Sequence, residues 1–208
     1  MKRRQLLGII GLSPLAFISS RMPVSNAKLV DILIKRWKTS KTYTLEVFNT
    51  MPEESLEYSP TDAQMSFAQH FMHIGFTNNA FIGVLVDSKT YPDFAAMSKA
   101  AFFLERPDSV SVFYPDMFVN RDPKMIKTVV AEYLLNTFDY VISNLSNLND
   151  DILSEGVEKE KPWFLGGHTN IDLILRAENH TAHHRAQAIS YLRFKGIKPP
   201  AYSKFNTL

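Results

Sequence analysis

His180 and His184 stand four residues apart in the run Glu178-Asn179-His180-Thr181-Ala182-His183-His184-Arg185-Ala186-Gln187. On a helix that spacing stacks two imidazoles one turn apart on one face, where both can point at a single ion. His183 is three residues from His180 and falls on the flank of that face. The stripe continues through Leu173, Arg176 and Ala177 on one side and Gln187, Ala188 and Tyr191 on the other. A polar patch inside an apolar stripe suits a site within a bundle, although the same spacing also describes the solvated edge of a helix. Two further histidines, His70 and His73, follow a second candidate helix start. His73 shares a stripe with Gln69, Phe76, Thr77 and Ala80, and His70 can also face inward. Taken singly, each of these two reads more readily as a packed or capping histidine than as a ligand.

The chain has 208 residues and no cysteine, which removes disulfides, thiolate nucleophiles and zinc ribbons together. Any metal must then be held by nitrogen and oxygen ligands. There is no His-Glu-x-x-His, no Glu-x-x-His and no Gly-x-Ser-x-Gly. A metalloprotease arrangement, a ferritin-like di-iron site and a serine-hydrolase elbow are therefore unsupported. Around the histidines, Gln187 is expected as a satisfied buried amide or a partner of a bound ligand. Tyr191 is expected in the core. Glu178 is expected in solvent, pointing away from His180. Arg185 and Arg193 are expected in surface or inter-subunit salt bridges. No general base stands out.

Four elements must position these groups. Lys28 to about Thr50 repeats Leu29, Ile32, Leu33, Trp37, Tyr43, Leu45 and Phe48 near helical spacing, with Pro52 beyond its end. Ser66-Phe67-Ala68-Gln69 is a capping box that starts a second helix running to about Val86. Asp122 caps a third, with Pro123 at its first position, ending between Leu145 and Leu148 where Asn147, Asn149 and Asp150 break the pattern. Thr169-Asn170-Ile171-Asp172 starts the fourth, from about Asn170 to Lys195, with Gly196 as a left-handed cap and Pro199-Pro200 preventing continuation. The pattern predicts an all-α four-helix bundle with a long irregular connection between helices two and three. That connection, residues 87–121, holds Tyr91, Phe94, Phe102, Phe103, Phe113, Tyr114 and Phe118. It is expected to carry a short helix within Asp93–Glu105 and to cover one end of the bundle. Residues 159–167 read as a loop containing Trp163 and Gly166-Gly167.

Residues 1–27 read as an export signal peptide, with Lys2, Arg3 and Arg4 before a short apolar run and Ser25-Asn26-Ala27 as a cleavage site. Arg3-Arg4 also fits a twin-arginine signal. The run is too short for a stable membrane span, which takes about 20 apolar residues. This points to export, in the periplasm, for the domain at 28–208; the alternative is a cytoplasmic protein with an N-terminal extension. The full chain carries a formal charge of +2. The leader holds four cations and no acid, so the remainder is slightly acidic. With no basic stripe interleaved with aromatics, no nucleic-acid partner is expected.

Beyond the leader the chain resembles the DinB-like family of four-helix-bundle metalloproteins. The resemblance rests on His180-Thr181-Ala182-His183-His184-Arg185-Ala186-Gln187 with Tyr191-Leu192-Arg193, Gly196 and Pro199-Pro200. It rests also on Met51-Pro52-Glu53-Glu54 through Tyr58, Pro60, Ser66 and His73. Ala186 stands where the family pattern commonly has glycine, a change that reflects packing. The resemblance implies one divalent ion held by His73, His180 and His184, with His70 competing for the first role and His183 for the second. Three neutral imidazoles suit zinc, nickel or iron(II) and leave a position for water or substrate. The implied function is that of a metal-dependent hydrolase or a thiol S-transferase acting on a small-molecule substrate. Hydrolysis would use the lowered pKa of bound water, and transfer would use a coordinated thiolate. Export would make a cytoplasmic low-molecular-weight thiol a poorer co-substrate. The alternative is a non-catalytic metal-stabilised binding module or stress-related bundle; a third reading has the histidines merely packing. The family also suggests a homodimer through exposed helix faces.

Overall fold

Helix ends are set by local hydrogen bonding, so each long helix begins where its capping residues place it. The computed structural model describes residues 29–86, 94–100, 122–155 and 169–205. Its elements are all helical: α1 (Leu29–Thr50), α2 (Phe67–Val86), α3 (Phe94–Ser98), α4 (Pro123–Leu145), α5 (Asp150–Ser154) and α6 (Asn170–Phe194), with 3-10 turns at Glu53–Ser55 and Tyr202–Phe205. At α2 the capping box forms as expected. The Gln69 amide donates to Ser66 Oγ at 3.3 Å and Gln69 Oε1 accepts from the Ser66 amide at 2.8 Å. The amides of Phe67 and Ala68 donate to Tyr58 and Leu56 in the preceding connection. The first turn of the helix that carries His70 and His73 is thus tied down before the histidines begin. At α4 the Asp122 side chain accepts from the Lys124 amide. At α6 the Thr169 hydroxyl accepts from the Asp172 amide. Gly196, at φ 72°, closes α6 in a Schellman turn, with Gly196 N–H donating to Arg193 and Ile197 N–H to Leu192.

Two points differ from the sequence expectation. Asn149, read as a helix terminator, caps the short α5 by accepting from the Ile152 amide. Its acidic first turn, Asp150 and Asp151, complements the helix dipole. The expected short helix within 93–105 is α3, confined to Phe94–Ser98. The leader, the remaining aromatics of the long connection and the Trp163 loop lie outside the described residues.

Consecutive helices are not neighbours throughout. Both α1 and α2 pack against α4 and α6, which puts α1 and α2 on one diagonal of the bundle and α4 and α6 on the other. Residues 51–66 make that crossing possible. Their 3-10 turn packs on α4, and Lys127 of α4 donates to the Met51 and Asn49 carbonyls at the end of α1. Across the diagonal, Phe48 of α1 meets Phe71 of α2 edge to face at 4.9 Å, and between the neighbours α1 and α4 Trp37 meets Phe138 at 5.9 Å. All four rings are fully buried. Burial of each such side chain is worth about 1.5–3 kcal/mol. Among the described residues, no helix is long and apolar enough to cross a membrane.

One close approach sets how far α2 stands from α4. A Cβ at Gly75 would lie 2.6 Å from Cε1 and 3.0 Å from Cδ1 of Tyr133, and 3.2 Å from Thr137 Oγ1. Tyr133 and Thr137 are themselves buried and cannot swing away. Gly75→Ala is expected to lower stability by about 1–3 kcal/mol through overpacking, read by urea unfolding. Unchanged stability would show that the α2–α4 spacing is adjustable. Because Gly75 is two residues from His73, this spacing also sets the axial position of the site.

Candidate metal centre

α2 and α6 run antiparallel, so His70 meets His184 and His73 meets His180. His73, His180 and His184 each offer a ring nitrogen, and these atoms lie within 4.8 Å of one another. The Nε2 atoms of His73 and His180 are 3.2 Å apart. Two nitrogens bound at about 2.0–2.1 Å to a tetrahedral zinc would be separated by roughly 3.3 Å, so this edge has the length an ion requires. The ring centroids of His73 and His184 are 4.6 Å apart, and those of His180 and His184 are 4.4 Å apart. The three imidazoles could hold one metal ion; all the donor atoms are nitrogen, the chain has no cysteine, and among the described residues no carboxylate joins the group.

Burial keeps the His180 and His184 rings neutral, the form that binds a metal. Burial, followed by the neighbouring histidines, lowers the pKa of His180 to about 4 and that of His184 to about 2. Burial also lowers His70 to about 4, with His73 and His183 as smaller causes. Arg176, one turn before His180 on the same stripe, adds to the depression of His180. Its guanidinium carbon stands 5.7 Å from the Phe81 ring centroid, so a cation and an aromatic face lie together beside the site.

The two competing histidines take different places. His183 is exposed and accepts from Gln187 Nε2 at 2.7 Å, outside the converging group. Gln187 is therefore engaged beside the site. His70 is 2 % exposed and does not converge with the three. Its Nδ1 lies 2.9 Å from Nδ1 of His184, and its ring stands edge-on to Tyr191 at 5.1 Å. Tyr191 is in the core, as expected, and its hydroxyl donates to the Met65 carbonyl.

Two expectations about charged neighbours are corrected. Arg185 makes no surface salt bridge. Its Nη1 donates to Ser40 Oγ at 3.0 Å and Thr44 Oγ1 at 2.9 Å on α1, with its guanidinium 4.5 Å from the Tyr43 ring centroid. Phe205 stacks on the same tyrosine at 4.3 Å. Glu178 is not solvated. It accepts two bonds from Arg36 at 2.9 and 2.7 Å, and its side chain is 14 % exposed. The physical reason is shared: α1 closes over this side of α6 and presents polar groups to both. Ser40 and Thr44, four residues apart on an otherwise apolar stripe, were the available signal for such a partner. A second missed contact is Thr181 Oγ1 donating to Asn78 Oδ1 at 3.0 Å, both fully buried. Its signal was the Thr77-Asn78-Asn79 run inside an apolar helix.

Arg185 holds the histidine helix against α1. Arg185→Ala is expected to cost about 1–3 kcal/mol, because the Ser40 and Thr44 hydroxyls lose their donor and Tyr43 loses its cation. Thermal unfolding of the variant beside the parent measures this; an unchanged midpoint would make Arg185 a bystander.

No curated protein matches the chain at a significant level. A family model, that of the DinB superfamily, matches residues 36–188, a span that takes in most of α1, the whole of α2 and α4, and the three histidines. The helical bundle, the antiparallel α2–α6 pair and the histidines converging between them agree with that match: the chain belongs to the DinB superfamily.

Proposed function

We propose that this protein is a metal-dependent enzyme acting on a small molecule, by hydrolysis or by thiol S-transfer, with His73, His180 and His184 as metal ligands. The observation that carries the reading is the convergence of three imidazoles from two helices, with their ring nitrogens within 4.8 Å of one another. Three protein ligands suit a catalytic ion better than a structural one, because a fourth position is left for water or substrate. A divalent ion there would supply Lewis acidity, lowering the pKa of a water or of a substrate thiol held at that position. The chain's own part is to keep the imidazoles deprotonated by burial and to hold α6 in register through Arg185, Glu178 and Thr181. Arg176 brings positive charge to the edge of the site and favours a substrate with an acidic group.

The test uses protein reconstituted in turn with zinc, nickel and iron(II), screened against ester, amide and phosphoester substrates and against thiol acceptors with low-molecular-weight thiols. Turnover that needs the metal and is lost in His180→Ala supports the proposal. Stoichiometric metal with no turnover in either screen points instead to the non-catalytic binding module. The proposal also places the protein outside the cytoplasm, on the strength of residues 1–27. A fusion of that segment to a reporter active only after export would show it, and a reporter retained inside the cell would remove it.

A further inference from the structure

The assignment of ligands leaves one buried histidine without a task. His70 is 2 % exposed, three residues before His73 on α2, and is not among the converging three. Its Nδ1 lies 2.9 Å from His184 Nδ1, a hydrogen-bond distance in which one nitrogen must carry the proton and the other must accept it. Its other nitrogen, Nε2, is buried and has no hydrogen-bond partner among the described residues.

The two tautomeric arrangements have different consequences for His184. If His70 Nδ1–H donates, His184 accepts at Nδ1. Neutral His184 then carries its proton on Nε2 and offers no lone pair to an ion. If His184 Nδ1–H donates, its Nε2 is bare and ready to ligate. Only the second arrangement is compatible with a ligand role for His184. It requires His70 to accept at Nδ1 and to carry its own proton on the buried Nε2. A metal-bound imidazole is usually oriented in this way by an acceptor on its other nitrogen, commonly a carboxylate, a carbonyl or water. Here a neutral imidazole occupies that place.

We propose that His70 is a positioning residue of the metal centre: its Nδ1 accepts the Nδ1–H of His184, fixes the tautomer and ring plane of His184, and leaves His184 Nε2 as the ligand atom. The proposal rests on the reading of His73, His180 and His184 as ligands. It separates from a packing role through two substitutions. His70→Asn places a carbonyl oxygen near the position of Nδ1 and keeps an acceptor while losing ring volume. His70→Leu fills the space with apolar atoms and removes the acceptor.

Zinc affinity of the parent and both variants, measured by competition with a chromophoric chelator at pH 7.5, is the test. Loss of a partner that orients a ligand typically weakens metal binding by about 10–100-fold. The Leu variant is expected to fall in that range, with the Asn variant recovering a substantial part. A packing role predicts the reverse order, with Leu closer to the parent than Asn. Equal affinity in all three would overturn the proposal while leaving the ligand set intact. A parent that binds no zinc would overturn both. Long-range proton–nitrogen spectra of the zinc-loaded parent supply a readout that does not depend on a variant folding. They should show His184 protonated at Nδ1 and His70 protonated at Nε2; the opposite pattern at His70 would refute the assignment.

Discussion

Saturating zinc is expected to raise the thermal midpoint of the metal-free protein by about 10 °C, and His184→Ala is expected to abolish that rise. A ligand that binds only the folded state stabilises it by about 4.1 kcal/mol at a thousandfold excess over its dissociation constant. For a chain of this size each kilocalorie moves the midpoint by about 2–4 °C. The site has the features that make binding specific to the folded state. His73 and His180 are 107 residues apart in the chain, and their Nε2 atoms stand 3.2 Å apart only because α2 and α6 are docked. His184 is the member whose loss should matter most. It is 8 % exposed and its Nδ1 lies 2.9 Å from His70 Nδ1, so removing it deletes both a donor and the end of that hydrogen bond. The measurement pairs differential scanning fluorimetry, with and without zinc, with elemental analysis of tag-free protein. One equivalent in the parent and little in the variant is the expected result. A variant that binds and responds like the parent would sink the ligand assignment.

The metal-free protein is also expected to lose at least about 3 kcal/mol of unfolding free energy between pH 7 and pH 4. The sign follows from the depressed values at His70 and His180, each lowered to about 4 from an ordinary value of 6.5. Above 6.5 the rings are neutral in both states and contribute no pH dependence. As the pH falls below 6.5 the unfolded chain takes up protons that the buried rings refuse, so the unfolded state gains. The loss from these two rings levels off below about 4, where they protonate in the folded state as well. His184, lowered to about 2, adds to the loss over the same range and continues it below about pH 4. One unit is worth about 1.4 kcal/mol. Half of the depression on these two rings, allowing for solvent screening, gives about 3 kcal/mol. Urea titrations at the two pH values measure it, and His180→Leu should flatten the slope by removing one of the rings. A parent equally stable at both values would mean that the imidazoles are more hydrated than their burial suggests. Protons compete with metal for the same nitrogens, so zinc should blunt the acid sensitivity near neutrality and fail to do so as the pH approaches 4.

Most of the helical framework could be read without tertiary information because its causes are local. Ser66 with Gln69, Asp122 with Pro123, Thr169 with Asp172, and Gly196 each satisfy or terminate backbone groups within a few residues of themselves. The structure keeps all four ends where those residues put them. The pairing of His180 with His184 is local in the same sense, since a four-residue spacing on one helix fixes a shared face. α5 escaped notice because five residues give too little periodicity to separate a helix from a polar turn.

The partners of those faces are another matter. A helical period states which residues share a side of one helix, but it does not fix the rotation and axial offset of that helix against its neighbours. Those depend on the summed packing of many side chains. The Gly75–Tyr133 approach sets α2 at its distance from α4, and the connection at residues 51–66 carries α2 across the diagonal from α1. Composition and spacing therefore left His70 and His73 both eligible. Docking of α2 on α6 directs His73 into the converging group and turns His70 onto Nδ1 of His184. The same docking, with α1 closing over α6, converts Arg185 and Glu178 from expected surface charges into contacts with Ser40, Thr44 and Arg36. The histidines and the helices that carry them belong to the local code; their convergence is a property of helix packing, where no short stretch of chain holds the necessary information.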